Sequence, residues 1–180
     1  MACISKLAST IAYDCDSGAT GLVSAVIINK ADIASFTASG VSGAVTGLTL
    51  VTGAKAYKID TVKRSLVVSK ALKINEGAPN AFTYTATLTN VTNGIAGDYF
   101  NFSSAMSNGS FVIVYKPAGA QRAAIAGLYY GMSATAFDQS SHDNGSWATV
   151  TLETPENVIG EDNLSMAGDA YAALFDAAVG

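Results

Sequence analysis

Ser140, Ser141, His142 and Asp143 stand in a row and are the residue types of a nucleophile, a base and its orienter. Such a set works only when three side chains converge in space, base on nucleophile and orienter on base. Neighbours in a run cannot fold onto one another in that way, so the row reads as a polar loop. His142 is the only histidine, and Cys3 and Cys15 are the only cysteines. Together they fall short of the four ligands that zinc takes. In a reducing compartment the two cysteines are thiols, and a disulfide between them stays open as the alternative. Glu153 and Glu156, then Glu161 and Asp162, carry oxygen donors around Pro155, but without EF-hand spacing they read as solvated acids. Gly40-Val41-Ser42-Gly43 lacks the lysine and the following helix of a phosphate-binding loop. Asn101-Phe102-Ser103 and Asn108-Gly109-Ser110 match glycosylation sequons, which are idle without a secretory route. The sequence offers no catalytic residue, no metal-ligand set and no cofactor motif, and reads as a non-enzyme.

The elements that would position a site are mostly strands. Residues 21–29 are β-branched and apolar, which predicts a buried strand. Lys30 to Gly43 reads as a loop with one turn of helix at Asp32 to Phe36. Ala44 to Thr52 reads as a strand, and Tyr57 begins another. Leu66 and Val68, then Leu72 and Ile74, alternate with Lys and Ser. Phe82, Tyr84, Ala86 and Leu88 alternate with Thr83, Thr85, Thr87 and Thr89, giving one apolar face and one threonine face. Between them, residues 74–81 form a turn-rich loop. The period then changes. Ile95, Tyr99, Phe102 and Met106 fall four, three and four apart, the stripe of a short helix that must pack on a sheet. Asn93 is its predicted N-cap, and Asn108-Gly109 its stop. Phe111 to Lys116 is an apolar strand, Pro117 to Ala120 a turn, and Ala123 to Tyr130 the return partner. Gly131 bends the chain into Met132 to Phe137. Asp138 to Ser146 is a polar loop, and Trp147 to Leu152 another strand. The alanine-rich tail, Ser165 to Val179, reads as a short helix. Its Tyr171, Leu174 and Phe175 need a docking place, the next subunit being one candidate.

At 180 residues the default is one domain, here 1–180 with an N-terminal arm 1–20 and a C-terminal tail 156–180. Hydrophobic residues make up 49% and charged residues 13%, about half the usual charged share of roughly 25%. A surface so poor in charge suits contact with other subunits. The net charge is −4. Lys55, Lys58, Lys63, Arg64, Lys70 and Lys73 cluster, whereas after Lys116 only Arg122 opposes eight acids, from Asp138 to Asp176. That asymmetry suits copies meeting head to tail. The acidity argues against tight nucleic-acid binding. The N-terminus has no sustained apolar run, and none elsewhere has the length of a membrane span, which predicts a protein made in a cytoplasm.

From Tyr57 to Thr154 the order of elements resembles the tail-tube (major tail) proteins of tailed bacteriophages, most closely the siphovirus-like type of Bacteroidetes phages and prophages. The likeness rests on Tyr57-Lys58-Ile59-Asp60-Thr61-Val62-Lys63 leading to a hairpin ending in Phe82-Thr83-Tyr84-Thr85-Ala86-Thr87-Leu88. A helix stopping at Asn108-Gly109 follows, then Phe111-Val112-Ile113-Val114-Tyr115-Lys116, Gly127-Leu128-Tyr129-Tyr130-Gly131-Met132 and Trp147-Ala148-Thr149-Val150-Thr151-Leu152-Glu153. It covers the central half of the chain. The resemblance implies a mainly β fold, a β-sandwich or distorted barrel with one flanking helix. It implies hexameric rings joined at sheet edges and stacked into a hollow tube with an acidic lumen. It further implies no cofactor, no membrane, a virion location, and as partners further copies, tape-measure and tail-terminator proteins, and DNA as passing cargo.

The loop Ile74, Asn75, Glu76, Gly77, Ala78, Pro79, Asn80, Ala81 is the candidate for ring-to-ring stacking, ahead of Lys30 to Gly43. The stripe Ile95, Tyr99, Phe102, Met106 is the candidate packing surface of the helix. Two other readings compete: a head-decoration or head-fibre subunit, and a carbohydrate-binding β-sandwich. The last needs an exposed aromatic platform, and Trp147 within a strand supplies a poor one.

Overall fold

A computed structural model describes residues 21–39, 42–59, 61, 65–74, 76–77, 80–91, 97–139, 148–155 and 164–179, with backbone alone at 90–91 and 97–102. In chain order these residues form β1 (Leu22–Asn29), a 3₁₀ turn (Lys30–Asp32), β2 (Ile33–Ala38), β3 (Ala44–Leu50), β4 (Tyr57–Ile59), β5 (Leu66–Lys73) and β6 (Ala81–Val91). Then follow α1 (Gly97–Asn108), β7 (Ser110–Pro117), β8 (Arg122–Ala126), β9 (Met132–Gln139), β10 (Ala148–Glu153), β11 (Ser165–Ala167) and α2 (Gly168–Ala177). The chain is mainly β, as its alternating patterns predict.

The organising unit is the antiparallel pair β1–β7, in register from Leu22↔Pro117 to Asn29↔Phe111. Both strands carry unbroken apolar runs, Ala25-Val26-Ile27-Ile28 and Phe111-Val112-Ile113-Val114, all buried. Such runs, rather than alternation, mark strands covered on both faces. Ala25, Ile27, Phe111 and Ile113 enter one core with Leu66, Tyr84, Ala86, Met106, Met132, Val150 and Leu152. Val26, Ile28, Val112 and Val114 enter a second with Val45, Ile125, Leu128, Met166 and Tyr171. Each fully buried Ile or Val contributes roughly 1.5–3 kcal/mol by leaving water.

A strand has two edges, and β1 takes one edge of β7 along its length. β8 and β9 therefore share the other edge, β8 at Ile113 to Tyr115 and β9 at Ser110 and Phe111. The sheet forks there. One branch runs β8-β11-β3-β2 and the other β9-β10-β6-β5, and they close over the two cores. The fork is made by the turn 127–131. Gly127 and Gly131 both have φ of 79°, a left-handed conformation that favours glycine, and the Gly131 N–H donates to the Gly127 carbonyl at 2.8 Å. The strand expected from Ala123 to Tyr130 therefore ends at Ala126.

Three other sequence expectations change. Lys30 to Gly43 is not a loop: after the 3₁₀ turn it forms β2, which pairs with β3 through two register shifts. Ala81 belongs to β6, opposite Lys73, and not to the preceding loop. The tail forms β11 and α2 and docks on its own chain. Tyr171 is buried in the second core with Leu174 and Phe175 packed against it, and its hydroxyl donates to Ser24 Oγ at 2.8 Å. Val179 then pairs with β4, accepting from the Lys58 N–H and donating to the Ala56 carbonyl. The tail fills the face of β1–β7 that the β5–β6 branch leaves open.

Candidate assembly edges

The order of strands ends at β2 on one branch and at β5 on the other. The third terminus, β4, is closed on its outer side by Val179. β5 is the longer end strand, with eight residues in unbroken register against β6. Its hydrogen-bonding direction can be worked out. The Thr89 N–H donates to the Ser65 carbonyl at 2.7 Å, so Ser65, Val67 and Ser69 turn their backbone groups to β6. On the far edge of β6, the Tyr84 carbonyl accepts from the Thr154 N–H and its N–H donates to Thr154 Oγ1, which gives the same parity. Leu66, Val68 and Leu72 therefore direct their N–H and C=O groups away from the sheet. No described strand pairs with that edge, and open strand edges template pairing with another chain.

The β5–β6 hairpin also projects. β10 covers β6 from Thr85 to Val91, and Thr154 pins Tyr84. Beyond that point Ala71 to Lys73 and Ala81 to Thr83 pair only with each other among the described strands. Leu72 is 53% and Ile74 74% exposed there. The Lys70 ammonium sits 3.7 Å from the centre of the Phe82 ring, near enough for a cation–π contact.

The stacking-loop candidates thus fall at the tip of a projecting hairpin, with Ile74, Glu76, Gly77, Asn80 and Ala81 described there, whereas Asn75, Ala78 and Pro79 lie outside the described residues. Of the helix stripe, Met106 is buried in the first core. Tyr99 and Phe102 lie within α1, and Ile95 and the predicted cap Asn93 lie outside the described residues. α1 ends at Asn108, as predicted, and a Cβ on Gly109 would overlap the Phe111 ring. Glu153 sits on β10 and accepts from Thr85 Oγ1 at 3.4 Å. His142, Cys3, Cys15, Trp147, Glu156, Glu161 and Asp162 lie outside the described residues.

Among the described residues no three His, Cys, Asp or Glu side chains converge as a metal site, and no helix is long and apolar enough to cross a membrane. Two tyrosines have hydroxyl pKa values pushed above the ordinary 10.0. Burial raises Tyr115. Burial also raises Tyr171, partly offset by its bond to Ser24. Both stay neutral and structural at ordinary pH. Sequence reading missed β2 as an edge and missed an aromatic group formed by Phe36, Tyr129 and Tyr130. The signal for β2 was present in the alternation of Ile33-Ala34-Ser35-Phe36-Thr37-Ala38. Comparison with protein-family models, with curated proteins and with solved structures gave no match.

Proposed function

We propose that this chain is a structural subunit of a phage tail tube, joining head to tail into rings that stack into a hollow conduit for DNA. The observation that carries the reading is the pair of dissimilar end strands, β2 and β5, that terminate the two branches of one sheet. A joint between unlike edges is heterologous, so it propagates, closing as a ring or continuing as a filament. The register shifts in β2 bend that edge, which restricts the strands it accepts. The projecting hairpin, with Leu72 and Ile74 exposed on it, supplies a second contact along the tube axis. On this reading the protein acts without catalysis or cofactor, resides in the virion, and meets tape-measure and terminator proteins at the tube ends. The likeness in element order from Tyr57 to Thr154 supports the tube over other edge-joined assemblies.

The test is negative-stain imaging of the purified protein with sedimentation velocity across a concentration series. Rings with a central channel, or tubes built from them, are the expected result. Monomers at every concentration would sink the proposal, and trimers without tubes would move it to a head-decoration subunit.

A further inference from the structure

The closure of β4 is a slighter contact than the rest of the tail makes. α2 is anchored, because Tyr171 is buried in the second core and its hydroxyl bonds to Ser24. Past the helix, Ala178 is extended, with φ −74° and ψ 147°. It lays Val179 beside Tyr57 as a parallel bridge. The Val179 N–H donates to the Ala56 carbonyl at 2.9 Å, and the Lys58 N–H donates to the Val179 carbonyl at 2.8 Å. Val179 is 38% and Tyr57 46% exposed, and Ala178 is buried but carries only a methyl group. Little apolar area therefore holds the bridge. The Lys58 ammonium, 4.9 Å from the Phe175 ring centre, reaches to α2 and not to the bridge.

Beneath the bridge is an edge that can accept a strand. Because Lys58 bonds outward, Ala56 and Lys58 turn their backbone groups away from β1, while Tyr57 and Ile59 turn theirs toward Ile27 and Ala25. No described strand pairs on the outer side. With Val179 lifted, the Ala56 carbonyl and the Lys58 N–H present the pattern to which an added strand bonds. That edge would be a third, beside β2 and β5. A subunit with two open edges joins in single file, whereas one with three branches. The guest at hand is β5 of another copy, whose Leu66, Val68 and Leu72 direct their own backbone groups outward.

We propose that Ala178 and Val179 form an autoinhibitory strand, which occupies the β4 edge and keeps an extended strand of a second copy of this chain from joining there. Single-file growth as the consequence rests on the edge joining proposed above, whereas the blocked edge does not. Two net backbone hydrogen bonds favour the closed form by roughly 5- to 150-fold. A guest strand binds more weakly by that same factor, because only the open fraction accepts it. α2 stays seated while the two residues lift.

Sedimentation velocity compares the full chain with one shortened to end at Ala177, and hydrogen exchange read by NMR follows single amides of the full chain. The shortened chain is expected to self-associate at concentrations lower by roughly 5- to 150-fold, in branched clusters under negative stain. In the full chain, below its association range, the Lys58 amide is expected to exchange well before those of Tyr57 and Ile59, which bond to β1. Circular dichroism checks the fold, and if shortening alters it, Val179→Pro decides. That exchange removes the N–H that the Ala56 carbonyl accepts, and extended Ala178 already has the conformation of a residue before proline. A folded shortened chain that sediments as the full chain does at every concentration overturns the proposal. So does a Lys58 amide that exchanges together with those of Tyr57 and Ile59. If the full chain forms neither rings nor tubes while shortening still drives association, the blocked edge stands and the tube reading falls. If rings and tubes form and shortening changes nothing, the reverse holds.

Discussion

Prolines at Val68 and at Ser69 should have opposite consequences, although the two residues are adjacent. Val68 directs its N–H out of the sheet, and Ser69 directs its own to Thr85 of β6, by the parity fixed at Ser65 and Thr89. Val68→Pro leaves the β5–β6 ladder whole. Val68 is half-buried against the first core, so the exchange costs the monomer only about 1 kcal/mol. At a joint between copies the same change withdraws one hydrogen bond, about 0.5–1.5 kcal/mol, and strands the facing carbonyl without a donor, about 1–3 kcal/mol. A loss of about 1.5–4.5 kcal/mol per joint weakens each contact roughly 10- to 2,000-fold, and a closed ring suffers it at every joint. Ser69→Pro instead removes a ladder bond and strands the Thr85 carbonyl, costing the monomer about 1.5–4.5 kcal/mol. For a chain of this length each kcal/mol lowers Tm by about 2–4 °C. Sedimentation velocity and imaging read assembly, and thermal melting by circular dichroism reads the fold. If Val68→Pro forms rings and tubes as the parent does, β5 is not the joint. If the two prolines melt alike, the register itself is wrong.

Three further outcomes follow from the packing. Ile113→Ala, at a fully buried position between the β1–β7 pair and the β5–β6 branch, should cost about 2–5 kcal/mol, read as a lower denaturant midpoint. Gly131→Ala forces a side chain into left-handed backbone and onto Ser110, and should cost more than the roughly 1 kcal/mol of an ordinary glycine replacement, again read as a midpoint. The burial of Tyr171 and Tyr115 raises their pKa values above 10.0 in the folded chain, so the unfolded chain loses those protons first. Stability from these groups is full below pH 10.0 and declines as pH rises through the folded values. Denaturant midpoints taken upward from pH 8 should stay flat to that point and then fall, less steeply in Tyr171→Phe.

The sequence revealed most where burial leaves a local mark. The continuous apolar runs of β1 and β7 and the strict alternation of Phe82 to Thr89 each report how many faces are covered. The four-three-four spacing that includes Met106 reported a helix, and Asn108-Gly109 its end. Legibility failed where tertiary pairing decides. Ile33 to Ala38 alternates only weakly, with Ala, Ser and Thr beside Ile33 and Phe36, and its strand conformation is decided by lying against β3. Ile125 to Tyr130 looks like one apolar run, yet Gly127 breaks it, and Tyr129 and Tyr130 become a turn beside Phe36 instead of a strand. The end strands were hidden for a deeper reason: an edge is a property of the strand order, and no residue in β5 announces that no described strand follows it in the sheet.

The docking of the tail also orders events during synthesis. β2 leans on β3, and β3 takes its other neighbour from β11, which lies near the end of the described chain. Tyr171 reaches back 147 residues to Ser24. The β5–β6 hairpin, made of residues near in sequence, can form while the ribosome is still at work, whereas contacts this distant form late. One edge is then present early and its complement only once β11 and α2 have emerged. Nascent chains still short of β11 would carry a single kind of edge, so under the proposed edge-to-edge joining they could not link to one another until β11 and α2 appear, a delay written into the strand order.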